Sequence, residues 1–301
     1  MNNTNWDDFK CRCSGISKIM ADKRGFAPLT EIQKVEMKDL EEKEKTKGLT
    51  GPQKDKLTSL YAKRELSKQI VLSDTCISYL MEVYAWETRG MISFGKEVWE
   101  IDQLTKGKLM EEESITLISV HDDVLYFKND ERIYNNYLSG EPDIFLGDHI
   151  MNADVIIDAK TCFDYPGFLQ KTQEELNPVY DLQVKGYCDI TNAKEGHVAY
   201  CLVDMPESMI GDYKRKLFYK MDVATEDNIE FKKKWEIMER SMRFKSIPPS
   251  QRVHKMPVQL FTESERQAVY DRVKVCRDWL WKFDEKYKSL NLITKNTVTY
   301  S

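Results

Sequence analysis

The stretch Gly140-Glu141-Pro142-Asp143-Ile144, followed after a turn-rich gap by Val155-Ile156-Ile157-Asp158-Ala159-Lys160, constrains this chain most. A strand places alternate side chains on one face. Asp158 and Lys160 therefore project together from the end of the apolar run Val155 to Ile157, and Asp143 opens another short apolar run, Ile144 to Leu146. Two carboxylates and an ammonium converging at strand ends can hold a hard divalent metal beside a phosphate.

The rest of the chain supplies helices around that sheet. Trp6 to Ala21 reads as a short approach and a helix, with Ser14 as N-cap and Ile16, Ile19 and Met20 at helical spacing. Thr30 and Thr50 each stand three residues before a Gln, the capping-box arrangement, and Pro52 fits a first helical turn. This predicts two antiparallel helices, about 31–47 and 52–66, joined at Gly48. The pair reads as a solvated helical hairpin, with a clamp or partner-binding arm as the functional alternative. Further helices are expected from Ser73 to Trp86 and from about Thr105 to Val120. Short β-rich runs follow at 124–127, 133–138, 144–146 and 155–157, as in a meander. After them come a helix around Tyr180 to Ile190, a strand at His197 to Val203 and a mostly helical remainder. Thr262-x-x-Glu265 opens a last long helix with the stripe Val269, Val273, Cys276, Leu280 and Phe283. The order predicts an α/β or α+β domain with a short mixed central sheet flanked by helices. It divides into an entry segment (1–27), a charged hairpin (28–70), a core (71–210) and a helical C-terminal region (211–301).

Three consecutive glutamates, Glu111, Glu112 and Glu113, follow Gly107 at the expected helix. Acidic side chains early in a helix usually face water and offset the dipole, which describes Glu112. Glu111 shares a face with Ile115 and Ile118, and Glu113 lies between Met110 and Leu117, so spacing leaves both as candidates. Downstream, Gln183 and Tyr187 are four apart and face one way on a helix.

These elements together resemble the PD-(D/E)XK nuclease superfamily, whose motif ends in an acidic residue, any residue, then lysine. Gly107-x-x-x-Glu111 is similar to the Gly-x-x-x-Glu helix of the phage lambda exonuclease-like and YqaJ-like branch, which favours Glu111 over Glu113. Gln183-x-x-x-Tyr187 is similar to the Gln-x-x-x-Tyr helix of RecB-like and YqaJ-like nucleases. The resemblance covers roughly residues 75 to 205, with a fainter echo at Arg12-Cys13-Ser14. It implies a restriction-endonuclease-like core in which Glu111, Asp143 and Asp158, with the Ala159 carbonyl, hold Mg²⁺ or Mn²⁺. Lys160 then orients the attacking water or stabilises developing charge, with Gln183 and Tyr187 near the substrate. The implied activity is hydrolysis of DNA phosphodiesters from duplex ends, in recombination or repair. A homo-oligomer or a recombination protein would be a further partner. An endonuclease of restriction or nicking type is the second reading, and a non-catalytic binding module on a nuclease fold the third.

Composition narrows these classes. A net charge of -5 gives no global attraction to nucleic acid, which argues against a non-specific coating protein and leaves room for a local groove. Seven cysteines, odd in number and without paired spacing, suit a reducing cytoplasm, and Cys11-x-Cys13 has no further ligands at metal spacing. No apolar run approaches the ~20 residues of a membrane span, and residues 1–8 lack a leader's apolar region, so a soluble cytoplasmic protein is expected. His149 is expected in a solvated loop. Trp235, Trp279, Trp281 and Tyr287 are expected in packing, and the basic segment from Lys232 to Lys245 on a solvated face.

Overall fold

The computed structural model describes residues 4–24, 26–92 and 102–296, with side chains as far as residue 289. In chain order the described helices are α1 (Ile16–Ile19), α2 (Glu31–Thr46), α3 (Gly51–Leu66), α4 (Asp74–Arg89), α5 (Asp102–Leu109), α6 (Glu111–Asp122), α7 (Tyr165–Lys171), α8 (Pro178–Thr191), α9 (Glu207–Met221), α10 (Ile229–Arg240) and α11 (Glu263–Asn296). The strands are β1 (Cys11–Arg12), β2 (Phe127–Lys128), β3 (Ile133–Tyr134), β4 (Leu138–Gly140), β5 (Ile144–Leu146), β6 (Val155–Thr161), β7 (Glu195–Cys201) and β8 (Val253–Val258). Two compact units form from discontinuous segments: Met1–Phe9, Ser17–Ile92 and Ser264–Ser301 in one, Lys10–Ile16 and Ser93–Glu263 in the other.

In the first unit, the hairpin α2–α3 forms where the capping residues place it. Thr30 Oγ1 accepts the Gln33 N–H at 3.3 Å while Gln33 Oε1 accepts the Thr30 N–H at 3.2 Å. Gly48 reverses the chain with φ +74°, a conformation glycine adopts without steric cost. Tyr61 donates to Glu41 across the hairpin at 2.9 Å. Only Leu57 and Leu60 are buried among its helical residues, so the pair is largely a solvated arm. α4 packs against α11: Cys76 and Cys276 sulfurs lie 3.8 Å apart and Tyr84 donates to Asp284 at 2.8 Å. Val269, Val273, Cys276 and Leu280 are buried along α11. Trp279 stacks on Phe283 with centroids 5.0 Å apart, as expected of packing aromatics.

The second unit holds a five-stranded sheet, β2-β5-β6-β7-β8, with β6 and β7 parallel and its other pairs antiparallel. A smaller sheet has the order β1-β4-β3. α6 covers one face of the large sheet: Ile115, Leu117 and Ile118 pack with Ile144, Ile157, Ala199, Cys201 and Val253. Side chains alternate along β6 and β7, so Asp158, Lys160 and Gly196 face the other way. There α8 approaches closely, and an added Cβ on Gly196 would meet Val184 and Cys188 at 2.7 Å.

Several local expectations are corrected. The entry segment contains two 3-10 turns, strand β1 and a four-residue helix, with Ser14 inside a turn rather than capping. Pairing of β1 with β4, and of the Cys11 N–H with the Tyr137 carbonyl at 2.9 Å, overrides the helical spacing. The helix expected over 105–120 is two helices, broken at Met110 (φ -111°). Burial of Met110 and anchoring of Lys106 redirect the chain there: Lys106 is fully buried and donates to the carbonyls of Cys162, Phe163 and Val203 at 2.7–2.9 Å. The β-rich runs form no single meander, since β3 and β4 join the small sheet and β2 and β5 the large one. The C-terminal region contains β8, whose Pro257 is tolerated because β8 is an edge strand of the large sheet.

Candidate active site

The site forms where β5 and β6 pair. Ile144 lies opposite Ile157 in antiparallel register, so Asp143, one residue before β5, falls beside Asp158. Asp143 Oδ2 accepts the Ala159 N–H at 2.7 Å. The Pro142-Asp143 backbone is held from the other side by Asn129, whose N–H donates to the Asp143 carbonyl at 3.0 Å and whose Nδ2 donates to the Pro142 carbonyl at 3.1 Å. Asp158 is therefore set by strand β6, and Asp143 by hydrogen bonds to that strand and to Asn129.

Asp158 is 1% exposed. Its Oδ1 accepts from Gln183 Nε2 at 3.3 Å, and the same amide nitrogen donates to the Tyr187 hydroxyl at 2.7 Å. Asp158 Oδ2 lies 2.7 Å from Lys160 Nζ. The contact is a short charge-assisted pairing between a buried carboxylate and an ammonium. Lys160 Nζ also sits 4.8 Å from the centroid of the Tyr180 ring, a cation–π distance. Tight packing fixes α8 here. An added Cβ on Gly140 would fall 2.5 Å from Tyr187, and one on Gly186 would fall 2.5 Å from Ile16.

The charges do not balance. Burial, then the Asp158 charge, pushes Asp143 up to about 7, against the opposing pull of Lys160 and the Ala159 amide. Burial raises Asp158 as well, despite the ammonium beside it. Burial works to lower Lys160, but Asp158 and Asp143 outweigh it and raise the group. The buried Asp158 and the half-buried Asp143 thus share one ammonium, so negative charge is in excess among these three groups.

Asp143, Asp158, Lys160, Gln183 and Tyr187 are brought together, with Ala159 engaged through its N–H. Glu111 stands at the margin. It is the first residue of α6 rather than a member of a buried stripe, and its side chain is 46% exposed. Its carboxylate pairs with Lys128 at 3.5 Å and only weakly raises Asp143. Glu112 also pairs with Lys128, and Glu113 is exposed. Among the described residues no three His, Cys, Asp or Glu side chains form a ready metal cage. Asp143 and Asp158 alone still fit a magnesium-type ion, which commonly takes one or two carboxylates and completes its shell with water and phosphate.

Sequence reasoning missed Tyr180, Asn129 and Lys128. Tyr180 stands three residues before Gln183 on one helix, so the spacing that found Gln183 and Tyr187 extends to it. Asn129 and Lys128 carry no motif; only strand pairing brings them to Asp143 and Glu111. His149 lies exposed in the β5–β6 loop, where its Nδ1 accepts the Met151 N–H at 3.0 Å. In the basic segment, Lys232 pairs with Asp227 and Arg243 with Glu207 and Glu239.

No family model matches the sequence, and no curated protein matches it. Solved structures do match its fold along nearly the whole chain. A phage-related exonuclease from Haemophilus somnus 129PT aligns with a TM-score of 0.58 at 18% identity, covering 93% of this chain and 97% of that one. The alkaline exonuclease LHK-Exo from Laribacter hongkongensis aligns at 0.52 and 9% identity, covering 94% of each chain. LHK-Exo in complex with dAMP aligns at 0.51 and 10% identity, covering 95% and 96%. The chain therefore has the fold of these exonucleases.

Proposed function

We propose that this chain is a Mg²⁺- or Mn²⁺-dependent deoxyribonuclease that shortens duplex DNA from its ends. The observation that carries the reading is Asp143 held beside Asp158 through the Ala159 N–H, with Lys160 Nζ 2.7 Å from the buried Asp158. The fold shared with exonucleases, one of them bound to dAMP, supports the same class.

Asp143 and Asp158 would hold the divalent ion, with Glu111 and the Ala159 carbonyl as further oxygen ligands. Bound there, the ion would make water more acidic and offset negative charge on the scissile phosphate. Gln183 keeps Asp158 oriented through Oδ1, and Tyr187 keeps Gln183 oriented in turn. Lys160, restrained by Asp158 and the Tyr180 ring, would orient the attacking water and stabilise charge developing on the phosphate. An enzyme that threads a terminus needs phosphate contacts and stacking rather than base readout. Among the described residues no helix is long and apolar enough to cross a membrane, and the buried free thiols suit a reducing cytoplasm.

The test is one linear and one covalently closed circular duplex, incubated with Mg²⁺, with Mn²⁺ or with chelator. Progressive shortening of the linear DNA, survival of the circle, and loss of activity in chelator and in Asp158→Ala are expected. Discrete fragments from the circle would make the protein an endonuclease. No cleavage in either metal would leave a binding module.

A further inference from the structure

The third carboxylate expected at this site is occupied. Lys128 stands on β2, an edge strand, one residue before Asn129, and its partner across the ladder is Ile144, next to Asp143. Its Nζ lies 3.5 Å from Glu111, 3.6 Å from Asp130 and in direct contact with Glu112. Glu111 thus shares the Lys128 ammonium with Glu112, which holds it more closely, beside the strand that pairs with the residue after Asp143. Moving a carboxylate from an ammonium to a divalent cation costs the ion pair, and half-exposed pairs of this kind are weak. The exchange is therefore within reach of a metal ion.

Building on the nuclease reading above, we propose that Lys128 is a positioning residue of the metal site: it competes with the divalent cation for Glu111 and so sets the cation concentration at which the site fills. Nothing in the motif requires this lysine. The edge strand brings it to Glu111, and Asn129, the residue just after that strand, holds the Asp143 backbone.

The experiment is calorimetric titration of the full chain with Mn²⁺ in the absence of DNA, on wild type, Lys128→Met, Lys128→Arg, Glu111→Gln and the Lys128→Met/Glu111→Gln double variant. Lys128→Met should bind Mn²⁺ about 2- to 5-fold more tightly, the range expected for release of an exposed ion pair. Lys128→Arg should stay near wild type. In the Glu111→Gln background the effect of Lys128→Met should vanish, which a general change in local charge would not produce. A tightening that persists undiminished without Glu111, or no tightening at all, overturns the proposal. Asp158→Ala separates the two readings. If wild type binds Mn²⁺ and Asp158→Ala does not, the metal site stands and only the role of Lys128 is at stake. If Asp158→Ala binds as wild type does, or wild type takes up no ion, the nuclease site itself fails. A thermal melt of each variant confirms that it is folded.

Discussion

The Asp143 carboxylate accepts the main-chain N–H of Ala159 at 2.7 Å, so a residue outside β6 is fastened between the two functional side chains of that strand. Asp143 cannot move without disturbing the backbone that sets the spacing of Asp158 and Lys160. The relation explains how two acidic groups remain close in a pocket that burial makes costly for both.

That cost predicts a pH dependence of stability in chelator. Asp143 is raised to about 7 in the folded protein, above the unfolded value of about 3.9. The folded state therefore holds a proton that the unfolded state has released. The stabilising contribution is complete below the unfolded value and is lost as pH rises through the folded one. Denaturation without metal should show a decline from pH 4 to 7, on the order of 2 kcal/mol for a coupled pair. Asp143→Asn, which can still accept the Ala159 N–H, should flatten it. An unchanged slope in that variant would refute the assignment.

Lys160→Met should lower kcat by about 10²–10³-fold, the scale for losing one preorganised electrostatic contact. KM for DNA should change little, while the melting temperature should fall, because the buried Asp158 loses its ammonium. A variant with most of its turnover intact would remove Lys160 from the chemistry.

Gly140→Ala should destabilise the fold by about 1–3 kcal/mol, as overpacking does, because the new Cβ would lie 2.5 Å from Tyr187 and 3.0 Å from Cys13. Activity should fall with it, since Tyr187 positions Gln183. Tyr187→Phe removes one hydroxyl contact and should cost only about 1 kcal/mol. Comparison of the two by urea denaturation and by cleavage rate separates ring position from hydrogen bonding.

Lys106→Met should cost about 3 kcal/mol or more, because it deprives three buried carbonyls of their donor. Burial already lowers this lysine to about 8, so most of its role is to satisfy those carbonyls at the ends of β6 and β7. An unaltered denaturation midpoint would contradict it.

Local chemistry made part of this protein legible. The hairpin α2–α3 follows from the Thr30 and Thr50 caps and Gly48, because such signals act within four residues and need no distant partner. Alternation in β6 places Asp158 and Lys160 on one face, and the four-residue helical spacing does the same for Gln183 and Tyr187. Other features depend on contacts between residues far apart in sequence. The break at Met110 reflects where Lys106 finds its carbonyls, more than fifty residues downstream. β8 resembles a poor strand until the edge position makes Pro257 acceptable. Glu111 opens α6, but its ion pair with Lys128 at 3.5 Å comes from an edge strand that its own spacing does not reveal. Periodicity records which way a side chain points along its own element. Which charge it meets there is set by how the elements pair, and that pairing exists only in the folded chain.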